Sequence, residues 1–235
     1  MPRDIPDTDM SKELTLEPVE RFRFACYPTI SCFNECCKNL NLALTPYDVL
    51  RMSRGLGLTT DKFLERYTTW HVGIATGLPV VVLKMLSDGN CPLVTESGCS
   101  IYNHRPTPCR LYPLVRVRAG EEVQYYLLRE DFCLGHLESK SWSLEEWVDD
   151  QELLEYNHMN DLFFELIAVK NRTGKNLTDR EINAIYRACF DIDGFKSNTG
   201  IEDDIEALRK GIMFSIRLIL GRETNTKVVT RQSDP

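Results

Sequence analysis

A chain of 235 residues with 43% hydrophobic and 27% charged residues has enough apolar surface for a real core, which argues against bulk disorder. Its formal charge of −7, without any cluster of Lys and Arg, argues against a duplex-binding face, because phosphate contacts need concentrated positive charge. The longest apolar runs, Leu78 to Leu83 and Ile212 to Leu220 (interrupted by Ser215 and Arg217), are too short or too broken to cross a bilayer.

Residues 1–20 read as a polar leader, extended or disordered, and Met1 to Met10 lacks the basic-then-apolar order of a secretory signal. The expected location is therefore cytoplasmic, with neither nucleic acid nor membrane as a partner. From Cys26 to Cys37 the chain reads as an irregular loop. Thr45, Pro46 and Asp48 then announce a helix: a capping hydroxyl, a proline suited to the first turn and an acid at the positive end. It should run to about Arg54 and stop at Gly55 or Gly57. Thr59-Thr60-Asp61 starts a second helix, with Phe63, Leu64 and Tyr67 at helical spacing.

The β-branched run from Leu78 to Leu83 predicts a strand. Leu114 to Arg118 and Glu122 to Arg129 flank Ala119-Gly120-Glu121 as a hairpin. Beyond Cys133 the pattern is helical almost to the end. Ser143 with Glu146, and Thr178 with Glu181, are capping boxes. The first opens a long amphipathic segment through Trp147, Leu153, Leu154, Phe163, Phe164 and Ile167 to near Gly174; the second carries Ile182, Ile185, Tyr186 and Cys189. A last helix spans Asp203 to Leu220, before a polar tail. The predicted organisation is a cysteine-bearing domain over 21–140, a helical extension over 141–221 packed on it, and a flexible tail over 222–235. The fold class is α-rich α+β, an irregular metal-stapled cysteine core with a small antiparallel sheet and surrounding helices.

Eight of the nine cysteines fall between residues 26 and 133. They form Cys26-x5-Cys32-x3-Cys36-Cys37 and Cys91-x7-Cys99-x9-Cys109, with Cys133 beyond. In a reducing compartment such density points to metal or redox chemistry rather than disulfides. Soft thiolates select zinc, cuprous copper or iron–sulfur clusters, and four complete a tetrahedral zinc or a cubane site. Eight suffice for two closed sites, or for one cluster with spare ligands. The neighbours Cys36 and Cys37 diverge on a strand or a helix, so either the pair serves two nearby centres or one member does something else. Gly98, Pro92, Pro106 and Pro108 surround the later thiols and favour turns that let thiols and amides converge. Arg105 and Arg110 offer charge to offset a multi-thiolate site. Cys189, between Ala188 and Phe190, reads as core packing.

The chain resembles the YkgJ-type cysteine-cluster proteins, the zinc- or iron-chelating CxxCxxCC family, over about residues 22–165. The matching elements run from Phe24-x-Cys26 and Cys32-x3-Cys36-Cys37 through Leu44-Thr45-Pro46-x-Asp48, Leu56-Gly57-Leu58 and Phe63-Leu64-x2-Tyr67. They continue with Cys91-Pro92-Leu93, Gly98-Cys99-x-Ile101-Tyr102, Arg105-Pro106, Cys109-Arg110-x-Tyr112-Pro113, and Cys133-Leu134-Gly135 through Trp147. The resemblance implies chelation of an iron–sulfur cluster or Zn2+. The gaps between the first three cysteine positions are longer here than in the family, which leaves both Cys26 and Cys32 as candidates. A related branch is associated with methylation of flagellin lysines, but no substrate or methyl-donor motif matches, and that activity is not carried over.

His104 and His136 lie close enough to cysteines to be weighed as ligands, with surface or hydrogen-bonded roles the simpler reading. No phosphate loop, nucleotide fingerprint or thiol-hydrolase signature is present, and no catalytic residue is named. The expected metal ligands are Cys26, Cys32, Cys36, Cys37, Cys91, Cys99, Cys109 and Cys133. The expected function is metal binding with a structural or redox role. Its alternatives are an iron–sulfur enzyme or electron carrier acting on another protein, and a zinc-shaped interaction module.

Overall fold

A computed structural model describes residues 17–222. The expected leader up to residue 16 and the tail from residue 223 lie outside the described residues. The chain opens with two short strands, β1 (Glu17–Pro18) and β2 (Arg21–Arg23). The expected irregular loop follows, holding a single 3-10 turn over Glu35–Cys37. After β3 (Ala43–Leu44), helix α1 (Pro46–Gly55) starts at the predicted cap. Thr45 Oγ1 accepts from the Asp48 amide at 3.2 Å, and the Thr45 amide donates to Asp48 Oδ2 at 3.0 Å. Helix α2 (Thr60–Tyr67) also begins as predicted and buries Phe63 and Leu64.

Strand β4 (Thr68–Val72), which the sequence pattern did not announce, follows α2 directly. Only Thr68 of its five residues is buried, so the alternation that betrays a half-buried strand is absent. It pairs with β5 (Pro79–Leu83), whose Pro79, Val81 and Leu83 point inward. The small hairpin β6 (Val94–Thr95) and β7 (Gly98–Cys99) leads to the short helix α3 (Thr107–Leu111). The predicted later hairpin forms as β8 (Leu114–Ala119) and β9 (Glu122–Leu127). The expected single sheet is instead four small antiparallel ones among the described residues, ordered β1-β9-β8, β2-β10, β3-β5-β4 and β6-β7.

Strand β10 (Ser141–Ser143) interrupts the stretch expected to be wholly helical, pairing Trp142 with Phe22 of β2. The long predicted segment after Ser143 divides into α4 (Leu144–Asp150) and α5 (Leu153–Thr173). Glu152 adopts φ +50 at the break, and the preceding Gln151 carbonyl accepts from Arg110 Nη1 at 2.7 Å. A buried guanidinium thus takes a backbone acceptor at the point where the helix stops. Leu154 and Phe164, expected on the apolar face, are exposed.

Helix α6 (Asp179–Phe190) has the predicted capping box. Asp191 caps an additional helix, α7 (Ile192–Thr199), by accepting from the Gly194 amide. The last helix, α8 (Asp204–Ile219), crosses α6 so closely that a Cβ on Gly211 would sit 1.9 Å from the Ala188 carbonyl oxygen. Helix makes up 48% of the structure, which makes this an α-rich α+β fold. One hydrophobic cluster takes Phe22, Leu50, Phe63 and Val81 from before residue 140 and Trp147, Leu153, Leu166, Ile185 and Leu208 from after it. None of the described helices is long and apolar enough to cross a membrane.

Candidate metal centre

All nine cysteines are free thiols. Cys189 is fully buried, meets Ser215 Oγ at 3.3 Å, and is pushed up to about 12 by burial. It is a core residue, as its sequence neighbours suggested. The other eight lie on loops and short elements, and Cys91, Cys99, Cys109 and Cys133 pack against the core.

Strand β2 and the loop after it place Cys26 and Cys32. Phe24 is buried, its amide donates to Lys140 O at 2.9 Å, and the Ala25 amide donates to Gly135 O at 3.1 Å. The same bonds hold the 3-10 turn over Leu134–Leu137 that follows Cys133. Gly135 is required there, since a Cβ would stand 2.6 Å from the Phe24 ring. The Leu134 amide donates to Cys32 Sγ at 3.2 Å, the kind of backbone donor that tunes a thiolate.

The second group is positioned by different contacts. The Cys91 amide donates to the Cys37 carbonyl at 2.8 Å, beside an isolated bridge between Lys38 and Asn90. The β6–β7 hairpin sets Cys99 opposite Val94, while the Val94 amide donates to Cys91 O at 3.2 Å. Gly98 has φ +107, and a Cβ on it would press 3.1 Å from the Phe33 ring. Cys109 is carried by α3, whose first residue is clamped by Asp48 of α1. Asp48 Oδ1 accepts from the Thr107 amide at 2.7 Å and from Thr107 Oγ1 at 2.6 Å. The Asp48 carboxyl, wholly buried, is raised by that burial against the pull of the Thr107 and Thr45 donors. Sequence reading used Asp48 as a helix-start charge and missed this second role, for which no local signal exists.

Arg105 and Arg110 are both buried, but their surroundings differ. Arg110 donates to the carbonyls of Gln151, Asn103 and Arg105, meets the Glu152 carboxylate at 3.5 Å and stacks over Tyr156. Arg105 donates to Tyr102 O and Gln151 Oε1 and lies 3.8 Å above the Tyr102 ring. It also stands within electrostatic reach of Cys99 and Cys109. Its charge and the Ile101 amide partly offset the burial that raises Cys99.

The thiols act on one another in a definite pattern. Cys26 is raised to about 11, first by desolvation and then by Cys36, Cys32 and Cys133. Burial raises Cys133 against a Tyr112 contact, with Cys32 and Cys36 adding to the rise. The buried Tyr112 hydroxyl has no well-formed hydrogen bond, and Cys133 is its polar neighbour. Burial raises Cys91 and Cys109, and each is raised further by Cys99 and Cys36. Cys37 donates to Cys36, which holds Cys36 down to about 7 and Cys37 well above the ordinary thiol value. Such a pair gives up its first proton readily and its second with difficulty.

Among the described residues no group of three or more His, Cys, Asp or Glu side chains is arranged to hold a metal ion. The thiols are neighbours rather than a formed coordination sphere, and a metal-stapled core is therefore not seen. The donor set nevertheless fits a soft cation. Burial disfavours the bare anions of Cys91, Cys99, Cys109 and Cys133, while Cys36 is held down by its neighbour Cys37. His104 Nδ1 and both His136 ring nitrogens are buried without partners. The His136 ring packs on Phe24 at 5.5 Å, and burial lowers both imidazoles.

Residues 25–134 match the family model described as "CxxCxxCC: Putative zinc- or iron-chelating domain". The matched span takes in all eight clustered cysteines and leaves out Cys189. No curated protein and no solved structure shows significant similarity to the chain.

Proposed function

We propose, from the premise that residues 25–134 belong to the CxxCxxCC family, that this protein binds an iron–sulfur cluster or Zn2+ through its eight clustered cysteines in a structural or redox role. The observation that carries this reading is that thiols from separate chain segments lie within electrostatic reach of one another. Burial without a cation favours the protonated form of most of these thiols, Cys36 being held down instead. A soft metal would replace those protons, and loading would release them to solvent. Such a metal supplies either a rigid cross-link or, as iron–sulfur, a one-electron couple. The chain supplies the thiolates, the Leu134 amide on Cys32 and the Arg105 charge beside Cys99 and Cys109. Free thiols throughout are in keeping with a cytoplasmic setting.

A partner protein belongs to a second reading, favoured by exposed Phe132, Leu134 and Leu137 flanking Cys133. In it the metal shapes a surface for docking.

Anaerobic purification followed by metal and acid-labile sulfide analysis tests the main reading. Bound iron with matching sulfide and broad visible absorption assigns a cluster; colourless protein with stoichiometric zinc assigns a structural site. Metal-free protein in which the eight clustered sulfhydryls titrate freely would falsify it.

A further inference from the structure

We infer that the cleft between α1 and the start of α5 binds a small zwitterion of the α-amino-acid class, its carboxylate at Arg51, Tyr156 and the amino end of α5 and its ammonium at Asp149 and Glu155. The cleft has a volume of about 370 Å³, and none of the eight clustered cysteines lines it. The inference is therefore independent of the metal. Tyr47 and Arg51 share one face of α1 at a spacing of four residues. The Tyr47 ring meets that of Tyr156 edge-on at 4.8 Å, and the Arg51 guanidinium lies 5.8 Å from the Tyr156 ring. Both tyrosines are almost wholly buried, at 1% and 2% exposure, yet neither hydroxyl has a well-formed hydrogen bond. Glu155 stands near the first hydroxyl and Arg51 near the second, outside bonding geometry. Arg51 Nε is buried without a partner too. Unlike Arg54 and Arg110, Arg51 closes no ion pair among the described residues. Buried polar groups are nearly always paired, so three orphaned atoms around one cleft point to a ligand.

Helix α5 supplies a separate attraction for an anion. Glu152, at its N-cap, adopts φ +50, and no side chain caps the helix. Leu154, Glu155 and Tyr156 of the first turn line the cleft. The free amides and the dipole of a helix of 21 residues favour a negative group there. The rim carries the opposite sign. Asp149 and Glu155 are exposed on it, while Glu152 lies 3.5 Å from Arg110. A bare carboxylate would meet those two acids, and a bare amine would meet Arg51 and the helix terminus. A molecule carrying both groups satisfies each. Val148 and Leu154 add apolar wall, which suits an aliphatic side chain.

Isothermal titration calorimetry on the full chain tests the site, with L-leucine and L-methionine as probes. Isocaproate and isoamylamine are leucine without its ammonium and without its carboxylate. At least one amino acid should bind, and the two half-molecules should bind at least about tenfold more weakly than L-leucine or L-methionine. Tyr156→Phe and Arg51→Gln should each weaken amino-acid binding by about tenfold or more. The Tyr156 hydroxyl has no bond to lose in the free protein, so Y156F should keep the wild-type urea midpoint without amino acid. Added amino acid should raise the midpoint of the wild type more than that of Y156F. Y156F keeps the ring, and it decides the matter should R51Q not fold. Absence of binding by both amino acids at millimolar concentration overturns the assignment, as does a Y156F protein that binds normally. Isocaproate binding as tightly as the amino acids would make this a plain anion site, and isoamylamine doing so would make it an acidic surface; either result overturns the zwitterion. A lowered midpoint for ligand-free Y156F would show that the hydroxyl serves the fold and would count against a ligand.

Discussion

Asp48 shows how one side chain can hold two elements in register. Its Oδ2 completes the capping box of α1 at Thr45, and its Oδ1 takes both donors of Thr107 at the start of α3. Thr107 Oγ1 in turn accepts from Asn160 Nδ2 of α5 at 2.9 Å. The carboxyl accepts from donors only, so an amide in its place would turn an –NH2 group toward a donor. Asp48→Asn is expected to destabilise the fold by about 1–3 kcal/mol, the cost of a buried donor left unpaired. Urea unfolding would show a lower midpoint, and Cys109 would become more accessible to thiol reagents. An unchanged midpoint would mean that α3 is held by packing alone. The cap was legible because Thr45, Pro46 and Asp48 are adjacent in sequence. The clamp on Thr107 was not, because nothing local ties position 48 to position 107.

Between elements, the main polar junction outside the thiol region is Arg54 at the end of α1. Its guanidinium donates to both oxygens of Asp193 on α7 and both oxygens of Asp204 on α8, at 2.8 to 3.0 Å. Lys196 adds a bond to Asp204 at 2.6 Å, and the Thr60 amide one to Asp193 at 2.7 Å. Arg54 and Lys196 hold Asp204 down to about 2, below the carboxylate value near 3.9 of an unfolded chain. A depressed folded-state value contributes stability that is present above the unfolded value and lost as pH falls through the folded one. This junction should therefore weaken from about pH 4 toward pH 2. Arg54→Ala is expected to cost about 1–2 kcal/mol at neutral pH, reduced for partial solvent contact. Its stability should also fall less steeply than the wild type's over that acid range. Parallel stability curves for the two proteins would deny the junction an electrostatic role. Capping boxes at Ser143 and Thr178 located α4 and α6 in advance. The break at Glu152 escaped because its partner there, Arg110, sits 42 residues away.

At the scale of the molecule, the cysteine-bearing part and the helical part share one core. β2 pairs with β10 across the expected boundary at residue 140, and Trp147 packs edge-on against Phe22 and Phe24 at 5.5 and 5.7 Å. Leu50 and Phe63 belong to the same apolar cluster as Ile185 and Leu208. A chain ending at residue 140 would expose the faces of α1 and β5 that α5, α6 and α8 cover. Such a truncation is expected to show no cooperative unfolding transition by circular dichroism, with or without metal; a sharp transition would establish an autonomous cysteine domain. The sequence by itself determined the helix starts, the β8–β9 hairpin, the candidate thiols and the exclusion of Cys189, because caps, periodicity and composition act over a few neighbouring residues. Only the tertiary structure decided what holds each cysteine-bearing loop, where α4 stops and how the core spans both parts. Those depend on backbone bonds and side-chain contacts between segments far apart along the chain, whose pairing no local pattern encodes.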